Sequence, residues 1–166
     1  MRFAWLLLAV VAAAASATVP RHAPEFRIVE PSGRSATLSG YRGNVVLLAF
    51  VLTTCPHCQA LSTDLEKLQG ELGGRGFRAT EVAFDENADV DGYRKRLGIT
   101  FPVGRGDRRD VLAFLGIAGN VRIGTPQVVL IDRSGMIRAQ SAPEGSPALQ
   151  SRSVLAGLIE SLLGKP

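Results

Sequence analysis

An unbroken apolar run over residues 45–51, followed almost at once by a helical pattern, constrains this chain more than any other feature. Seven consecutive apolar residues indicate a strand that is buried on both faces, as in the centre of an α/β sheet. From Pro56 onward the apolar residues recur at spacings of four, three and four, which places them on one face of a helix. These residues are Leu61, Leu65, Leu68 and Leu72. Gly73 and Gly74 then predict the end of that helix.

Further strands and helices alternate along the rest of the chain. Strands are predicted at 26–29, 36–38, 77–84, 127–131 and 136–140, with a short edge strand at 100–103. Helices are predicted at 87–97, at 107–115 and near the carboxyl end, where Leu155, Leu158, Ile159 and Leu162 share a face. A helical crossover between the strands at 45 and 77 implies that they run parallel. The pattern predicts an α/β fold: a central mixed sheet flanked by helices, with an N-terminal β-hairpin extension.

The first 17 residues have the pattern of a secretory signal peptide. Arg2 supplies a positive start, residues 3–14 are almost wholly apolar, and residues 15–17 form a small-x-small cleavage site. The alternative is an uncleaved membrane anchor, but a spanning helix needs about 20 apolar residues and this run ends by Val19. We expect cleavage after Ala17, one domain over residues 18–166, and export to the periplasm or cell envelope.

The charge of the exported part does not favour a nucleic-acid partner. Without residues 1–17 the chain holds 18 basic residues (19 less Arg2) against 15 acidic ones. The short basic runs at 94–96 and 108–109 are flanked by aspartates and lack interleaved aromatic residues. Such runs are typical of solvated helix faces rather than of a binding surface for nucleic acid.

The chain has only two cysteines, Cys55 and Cys58. In an exported protein the simplest interpretation of such a pair is a structural disulfide. The loop-entropy model, however, gives about 1.9 kcal/mol for a four-residue loop, against about 4.7 kcal/mol for a 100-residue loop. Because so local a bridge stabilises little, the pair is better interpreted as redox-active.

The motif Cys55-Pro56-His57-Cys58 falls where a strand passes into a helix. Free N–H groups and the dipole at a helix start favour a thiolate, and Pro56 suits the first helical position. Cys55 is therefore expected to be the exposed nucleophile and Cys58, one turn further in, the resolving thiol. The His57 imidazolium can favour the thiolate further, or His57 can simply be an exposed helix residue.

A metal site is the main alternative use of a C-x-x-C motif. Zinc would need two more ligands, and the sequence offers no further cysteine and only His22 besides His57. We therefore expect neither a metal nor another cofactor.

Taken together, the motifs resemble the TlpA/ResA-like branch of the thioredoxin superfamily. The resemblance runs over residues 38–47, 55–58, 99–103 and 124–132, with Gly135. It implies a thioredoxin-like fold and an extracytoplasmic enzyme that exchanges disulfides with protein substrates, recycled by a redox partner that can be membrane-bound. It also implies that the Thr125–Pro126 bond is cis, faces the two cysteines, and lies beside backbone that pairs with the substrate.

Three residues depart from that family pattern. Thr54 replaces a tryptophan before the first cysteine, Leu61 replaces a glutamate three residues after the second, and Ala49 lies where thioredoxin carries an acid. Buried acids at such positions handle the proton of the second thiol. Without them, deprotonation of Cys58 is expected to depend on water, His57 or the helix field, and a role in cytochrome c maturation is in doubt.

The dipeptide Pro56-His57 leaves the direction of electron flow open. It matches the dipeptide of the oxidant DsbA, whereas the rest of the pattern resembles reductants. Thioredoxin lies near about −270 mV and DsbA near about −120 mV.

Two other function classes remain as alternatives to thiol–disulfide exchange. A peroxiredoxin-like peroxide reductase would carry Thr or Ser three residues before its reactive cysteine, where this chain has Leu52. A non-catalytic envelope binding module would hold Cys55–Cys58 as an inert disulfide.

Overall fold

The computed structural model describes residues 17–119 and 121–164. Its strands are β1 Arg21–His22, β2 Arg27–Val29, β3 Ser35–Thr37, β4 Val45–Val51, β5 Phe77–Ala83, β6 Val103–Arg105, β7 Gln127–Ile131 and β8 Met136–Gln140. Its α-helices are α1 Pro56–Leu72, α2 Val90–Leu97, α3 Arg108–Leu115 and α4 Arg152–Leu163. Short 3₁₀ helices span Leu38–Tyr41, Gly73–Arg75 and Pro147–Gln150. Except for Ala17, the predicted signal peptide lies outside the described residues.

The strands form one mixed sheet in the order β1-β8-β7-β4-β5-β6-β2-β3. Strands β4 and β5 run parallel, and β7 lies antiparallel on the other side of β4. The predicted α/β fold with a central mixed sheet is confirmed, as is the parallel pairing across α1. One consequence of the register is that Ala49 of β4 lies directly opposite Glu81 of β5.

Every residue of β4 is buried because the sheet has an apolar core on each face. On one face Val45, Leu47 and Ala49 pack with residues of α1, α2 and α4. On the other face Val46, Leu48 and Phe50 join a core that includes residues of α3. A strand between two cores needs apolar side chains at both alternating positions, which explains the unbroken run.

Helix α1 begins and ends as predicted, with Pro56 at its first position and Gly73 at its carboxyl end. Leu61, Leu65, Leu68 and Leu72 are all buried against the sheet. Helix α2 begins at Val90, three residues later than predicted, because Asp89 caps it by accepting a hydrogen bond from the Gly92 N–H.

The prediction of an edge strand at 100–103 is wrong in both bounds and place. Strand β6 lies at Val103–Arg105 and is an inner strand, because β2 pairs with it through Val29 and Arg105. Gly104 permits this approach: a Cβ there would lie 2.8 Å from the Val29 nitrogen. The N-terminal hairpin β2–β3 therefore extends the sheet beyond β6, and β3 forms that edge.

Within the described residues, no helix combines the length and the apolar character that crossing a membrane requires.

Candidate active site

The two thiols lie at the junction of β4 and α1. Cys55 is the N-cap residue of α1, in an extended conformation, and Pro56 begins the helix. The backbone N–H of Cys55 donates to the Leu52 carbonyl at 3.0 Å, which fixes the turn between strand and helix. Both cysteines are free thiols, Cys55 half-buried and Cys58 fully buried.

The surroundings of Cys55 favour its thiolate. Partial burial alone would raise the pKa of Cys55, but hydrogen bonds outweigh it and the pKa is lowered. The donors are the backbone N–H of Cys58, the hydroxyl of Thr125, the Cys58 thiol and the backbone N–H of His57. Two of these are free N–H groups of the first helical turn, the kind of donor that the position at a helix start provides.

The surroundings of Cys58 have the opposite effect. Burial, together with the neighbouring Cys55 thiol, raises the pKa of Cys58 to about 12, although a hydrogen bond with the Leu52 backbone lowers it. Because a buried anion loses its hydration, Cys58 stays protonated where Cys55 ionises. The two thiols thus differ in accessibility and in charge.

The loop before β7 brings Thr125 to Cys55 across 70 positions of sequence. The Thr125 hydroxyl lies 3.6 Å from the Cys55 sulfur, and the sulfur lies 3.9 Å from the Thr125 carbonyl oxygen. The Thr125–Pro126 peptide bond is cis, as the family resemblance implied. The Thr125 backbone therefore borders the reactive sulfur.

The fully buried side chain of Gln127 holds this loop in place. Its amide nitrogen donates to the carbonyls of Gly124 at 2.8 Å and Ala142 at 3.1 Å, and lies 3.3 Å from that of Pro143. Gly124 lies so close to the backbone of residues 144–145 that a Cβ there would be 2.1 Å from the Glu144 carbonyl oxygen. Neither residue was predicted as functional, because their contacts join segments that the sequence pattern does not link.

His57 is exposed beside a groove next to Cys55. His57, Thr125, Pro147, Gln150 and Ser151 line this groove, whose volume is about 390 Å³. The 3₁₀ helix Pro147–Gln150, which the sequence pattern did not predict, forms one wall.

Residues before the motif are held by a second polar contact. Thr53 is buried, and both its hydroxyl and its backbone N–H donate to the carboxylate of Asp85, the N–H at 3.1 Å. The amide of Gln59 donates to the Thr53 carbonyl at 3.0 Å. These bonds fix the loop that presents Cys55.

Sequence reasoning missed a buried acid below the motif. Glu81 is fully buried on β5, and the Ser62 hydroxyl donates to its Oε1 at 2.6 Å. Burial raises the pKa of Glu81 to about 8, although the Ser62 bond lowers it. The sequence did contain a signal of this burial. Glu81 lies on the same face of β5 as the apolar residues Phe77, Ala79 and Ala83, which pack towards α1.

No group of three or more His, Cys, Asp or Glu side chains suited to a metal ion occurs in the ranges 17–119 and 121–164. His22 lies on β1, paired with Met136 of β8 at the edge of the sheet opposite β3.

A model of the AhpC/TSA family matches residues 19–140. The chain is similar to the thiol-disulfide oxidoreductase ResA of Geobacillus thermodenitrificans, with 28% identity over 117 residues, 70% of this chain and 64% of that protein. It is 33% identical over 89 residues to a Xenopus laevis protein named probable glutathione peroxidase 8-B, covering 47% of this chain and 42% of that one. The chain thus matches less than two thirds of the length of either relative.

A solved structure has the same architecture. The thiol:disulfide interchange protein of the thioredoxin family from Chlorobium tepidum TLS superposes with a TM-score of 0.73 and 26% identity. The superposition covers 89% of this chain and 99% of that one. The predicted thioredoxin-like fold is thereby confirmed.

Proposed function

The chain belongs to the AhpC/TSA family and is a TlpA/ResA-like member of the thioredoxin superfamily, and on that premise we propose that it exchanges disulfides with extracytoplasmic proteins. Cys55 is the attacking thiol and Cys58 the resolving thiol. Pro56, His57, Thr125 and Pro126 support them. The observation that carries the proposal is the contrast between a half-exposed thiol of lowered pKa and a buried thiol with a pKa of about 12.

In the reducing direction the Cys55 thiolate attacks one sulfur of a substrate disulfide. An S–S bond forms between Cys55 and the substrate, and the other substrate sulfur leaves as a thiolate. The Cys58 thiol then loses its proton and attacks the Cys55 sulfur. This step forms the Cys55–Cys58 disulfide and releases the second substrate sulfur. Each cysteine is suited to its step, because only Cys55 is accessible and only Cys58 is protected from a second substrate.

The substrate class follows from the surface around Cys55. The Thr125 backbone borders the sulfur, and an extended chain can add backbone hydrogen bonds there, as peptides do at free strand edges. The groove of His57, Gln150 and Ser151 continues that surface with polar side chains. Protein thiols or disulfides therefore fit the site, and a separate redox partner must restore the starting state.

The first residues of the chain support a proposal about where in the cell the protein acts. We propose that residues 1–17 direct export and that residues 18–166 act as one domain in the periplasm or cell envelope. The pattern of a charged start, an apolar stretch and a small-residue cleavage site supports this. Amino-terminal sequencing of the protein recovered from the envelope tests it, with Thr18 as the expected first residue.

Peroxide reduction is the second candidate function. The 33% identity to a protein named probable glutathione peroxidase 8-B favours it. Leu52 stands against it, because it lies three positions before Cys55 and has no hydroxyl to orient a peroxide. Consumption of hydrogen peroxide with dithiothreitol as reductant discriminates the two. Disulfide exchange alone predicts no acceleration over dithiothreitol without protein.

Insulin reduction by dithiothreitol tests the proposed function directly. The wild-type protein should accelerate it, and the Cys55→Ala variant should not. Cys58→Ala should accumulate mixed disulfides through Cys55, visible on a non-reducing gel. A wild-type protein whose Cys55–Cys58 bond is reducible, but which neither reduces insulin nor oxidises a reduced peptide, would show that the proposed catalysis is wrong.

Equilibration with glutathione buffers measures the reduction potential of the Cys55–Cys58 pair, and this potential indicates the direction of exchange. A reduction potential near about −270 mV places the protein with the reductants, and one near about −120 mV with the oxidants.

A further inference from the structure

Three buried polar side chains from three different elements meet below the start of α1. Glu81 comes from β5, Ser62 from α1 and Tyr93 from α2, and all three are fully buried. The Ser62 hydroxyl lies 2.6 Å from Glu81 Oε1 and is also hydrogen-bonded to the Tyr93 hydroxyl. We refer to these three residues as the Glu81 cluster.

Hydrogen-bond counting shows that the Glu81 cluster suits two protonation states. The Ser62 hydroxyl has one hydrogen, but it faces Glu81 Oε1, the Tyr93 hydroxyl and, at 2.9 Å, the Cys58 carbonyl. When Glu81 is ionised, Ser62 donates to the carboxylate. When Glu81 is protonated, it can donate to Ser62, whose hydrogen turns to the Cys58 carbonyl. The same positions of the non-hydrogen atoms are therefore compatible with both protonated and ionised Glu81.

A purely structural role leaves the carboxyl group poorly explained. Within the described ranges no Lys or Arg forms a salt bridge with Glu81, and its Oε2 is buried without a hydrogen-bond partner. Burying a polar oxygen without a partner is unfavourable, because the oxygen loses its hydration and gains no hydrogen bond in return. Perturbed, desolvated carboxyls of this kind concentrate at functional sites.

Among the described residues, Tyr93 is the titratable side chain that shares this cluster with Glu81, and the charges of the two thiols act on Tyr93. Strand β4 presents Ala49 to Glu81, and β6 presents Val103. Helix α2 contributes Tyr93, whose pKa is raised by burial and then by the negative charges of Glu81, Cys58 and Cys55. Tyr93 thus lies in the fields of the carboxyl and of both thiols, and it keeps its proton.

Cys58 needs a nearby proton acceptor before it can attack. It is one helical turn before Ser62, and its pKa of about 12 leaves about one thiol in 10⁵ ionised at pH 7. Bulk water does not reach it, because the residue is fully buried. The positions where related proteins carry an acid hold Ala49 and Leu61 in this chain.

We propose that Glu81 is the proton acceptor for Cys58 in the resolving step, with Ser62 and Tyr93 as the hydroxyls that position it. The inference rests on the proposed function. The S–H bond of Cys58 breaks and its proton passes to the Glu81 carboxylate. The Cys58–Cys55 bond forms, and the Cys55–substrate S–S bond breaks with release of a thiolate. In the opposite direction, protonated Glu81 returns the proton to Cys58 when the disulfide opens.

Ellman's reagent separates the two thiol steps in one stopped-flow trace. One equivalent added to the reduced protein releases a first coloured thiolate when Cys55 attacks, and a second when Cys58 resolves the mixed disulfide. The first phase is an internal reference for Cys55, and the second reports the step assigned to Glu81. The matched control is Glu160→Gln, the same chemical change at an exposed position of α4.

The wild-type second phase should rise with pH and level off near pH 8, the pKa of Glu81. In Glu81→Gln it should be about 10²-fold slower at pH 7. Without the acceptor it should also keep rising about tenfold per pH unit beyond pH 8, because only the ionisation of Cys58 then limits it. Glu160→Gln should match the wild type.

Ser62→Ala provides a second test that keeps the carboxyl group. The Ser62 hydrogen bond lowers the pKa of Glu81, so its loss should move the levelling-off above pH 8. If Glu81→Gln retains the plateau near pH 8 and resolves within twofold of the wild-type rate, the assignment of Glu81 is wrong. The same holds if Ser62→Ala leaves the plateau unmoved.

Failure of the proposed function itself would look different. In that case Cys58→Ala would trap no mixed disulfide with a protein substrate, whatever happens at Glu81. Trapping by Cys58→Ala together with an unchanged second phase in Glu81→Gln would overturn only the role of Glu81.

Discussion

The outer half of the site, around Cys55 and Thr125, differs from the inner half, around Cys58 and Glu81. The outer half is half-exposed and supplies backbone N–H and hydroxyl donors, which lower the pKa of Cys55. The inner half is fully buried, and desolvation raises the pKa values of both Cys58 and Glu81. Two thiols one helical turn apart therefore differ in role: Cys55 is suited to attack as a thiolate, whereas Cys58 stays protonated until the resolving step.

This contrast shows that position at a helix start alone does not decide the pKa of a thiol. Both cysteines lie near the positive end of α1. The helix field favours an anion within about one turn, but full burial at Cys58 outweighs it. Accessibility to hydrogen-bond donors and water separates the two roles.

Replacing the outer thiol should have the largest effect. Cys55→Ala should reduce the rate of insulin reduction by at least about 10³-fold, because no accessible thiolate remains. Cys58→Ala should also lose turnover, but should form a stable mixed disulfide with substrate on a non-reducing gel. Equal trapping by the two variants would show that the outer and inner roles are not distinct.

The inner carboxyl should make the stability of the fold depend on pH. Folded Glu81 holds its proton up to about pH 8, whereas the unfolded chain releases it near pH 4.5. Its contribution is therefore fully present below about pH 4.5 and is lost as the pH rises towards 8. The loss should be on the order of a few kcal/mol.

Urea unfolding at several pH values between 4.5 and 8.5 measures this dependence. Glu81→Gln should remove most of the decline in unfolding free energy, while the exposed control Glu160→Gln should retain it. Parallel curves for the wild type and Glu81→Gln would mean that the inner half does not hold a protonated carboxyl.

Gly124 tests how tightly the outer half is built. In Gly124→Ala the new Cβ would lie 2.1 Å from the Glu144 carbonyl oxygen, so the loop carrying Thr125 must move. We expect a loss of about 1–3 kcal/mol in unfolding free energy and slower insulin reduction. Gly157→Ala on α4 is the matched control, because its Cβ meets nothing within 4 Å and should stabilise the helix by about 1 kcal/mol. Equal midpoints in urea would contradict this account of the loop.

The smallest effect is expected from the Thr125 hydroxyl. Thr125→Val keeps the shape but removes a hydrogen bond that lowers the pKa of Cys55. The pKa should rise by less than about one unit, since several other donors remain. Thiolate absorbance followed against pH measures it, with Thr54→Val, an exposed change beside the motif, as control. A pKa that rises equally in both variants would remove the specific role of Thr125.

Much of the framework could be predicted from residues close together in sequence. The apolar run of β4, the leucine face of α1 and the start of α3 at Asp107 all depend on local periodicity or capping, and each was located correctly. Strand β6 was misplaced because its neighbour β2 lies more than 70 residues earlier in the chain.

The sequence by itself determined the order of the central strands and helices and the place of Cys55 and Cys58 at a strand–helix junction. These features depend on spacing and on the chemistry of a helix start, which act within a few residues. Only the tertiary structure decided that Glu81 lies below the motif and that Thr125 lies beside Cys55. Their distances depend on strand register and loop packing across 19 and 70 residues of chain. Burial, and with it the difference between the two thiols, depends on how the whole sheet is covered.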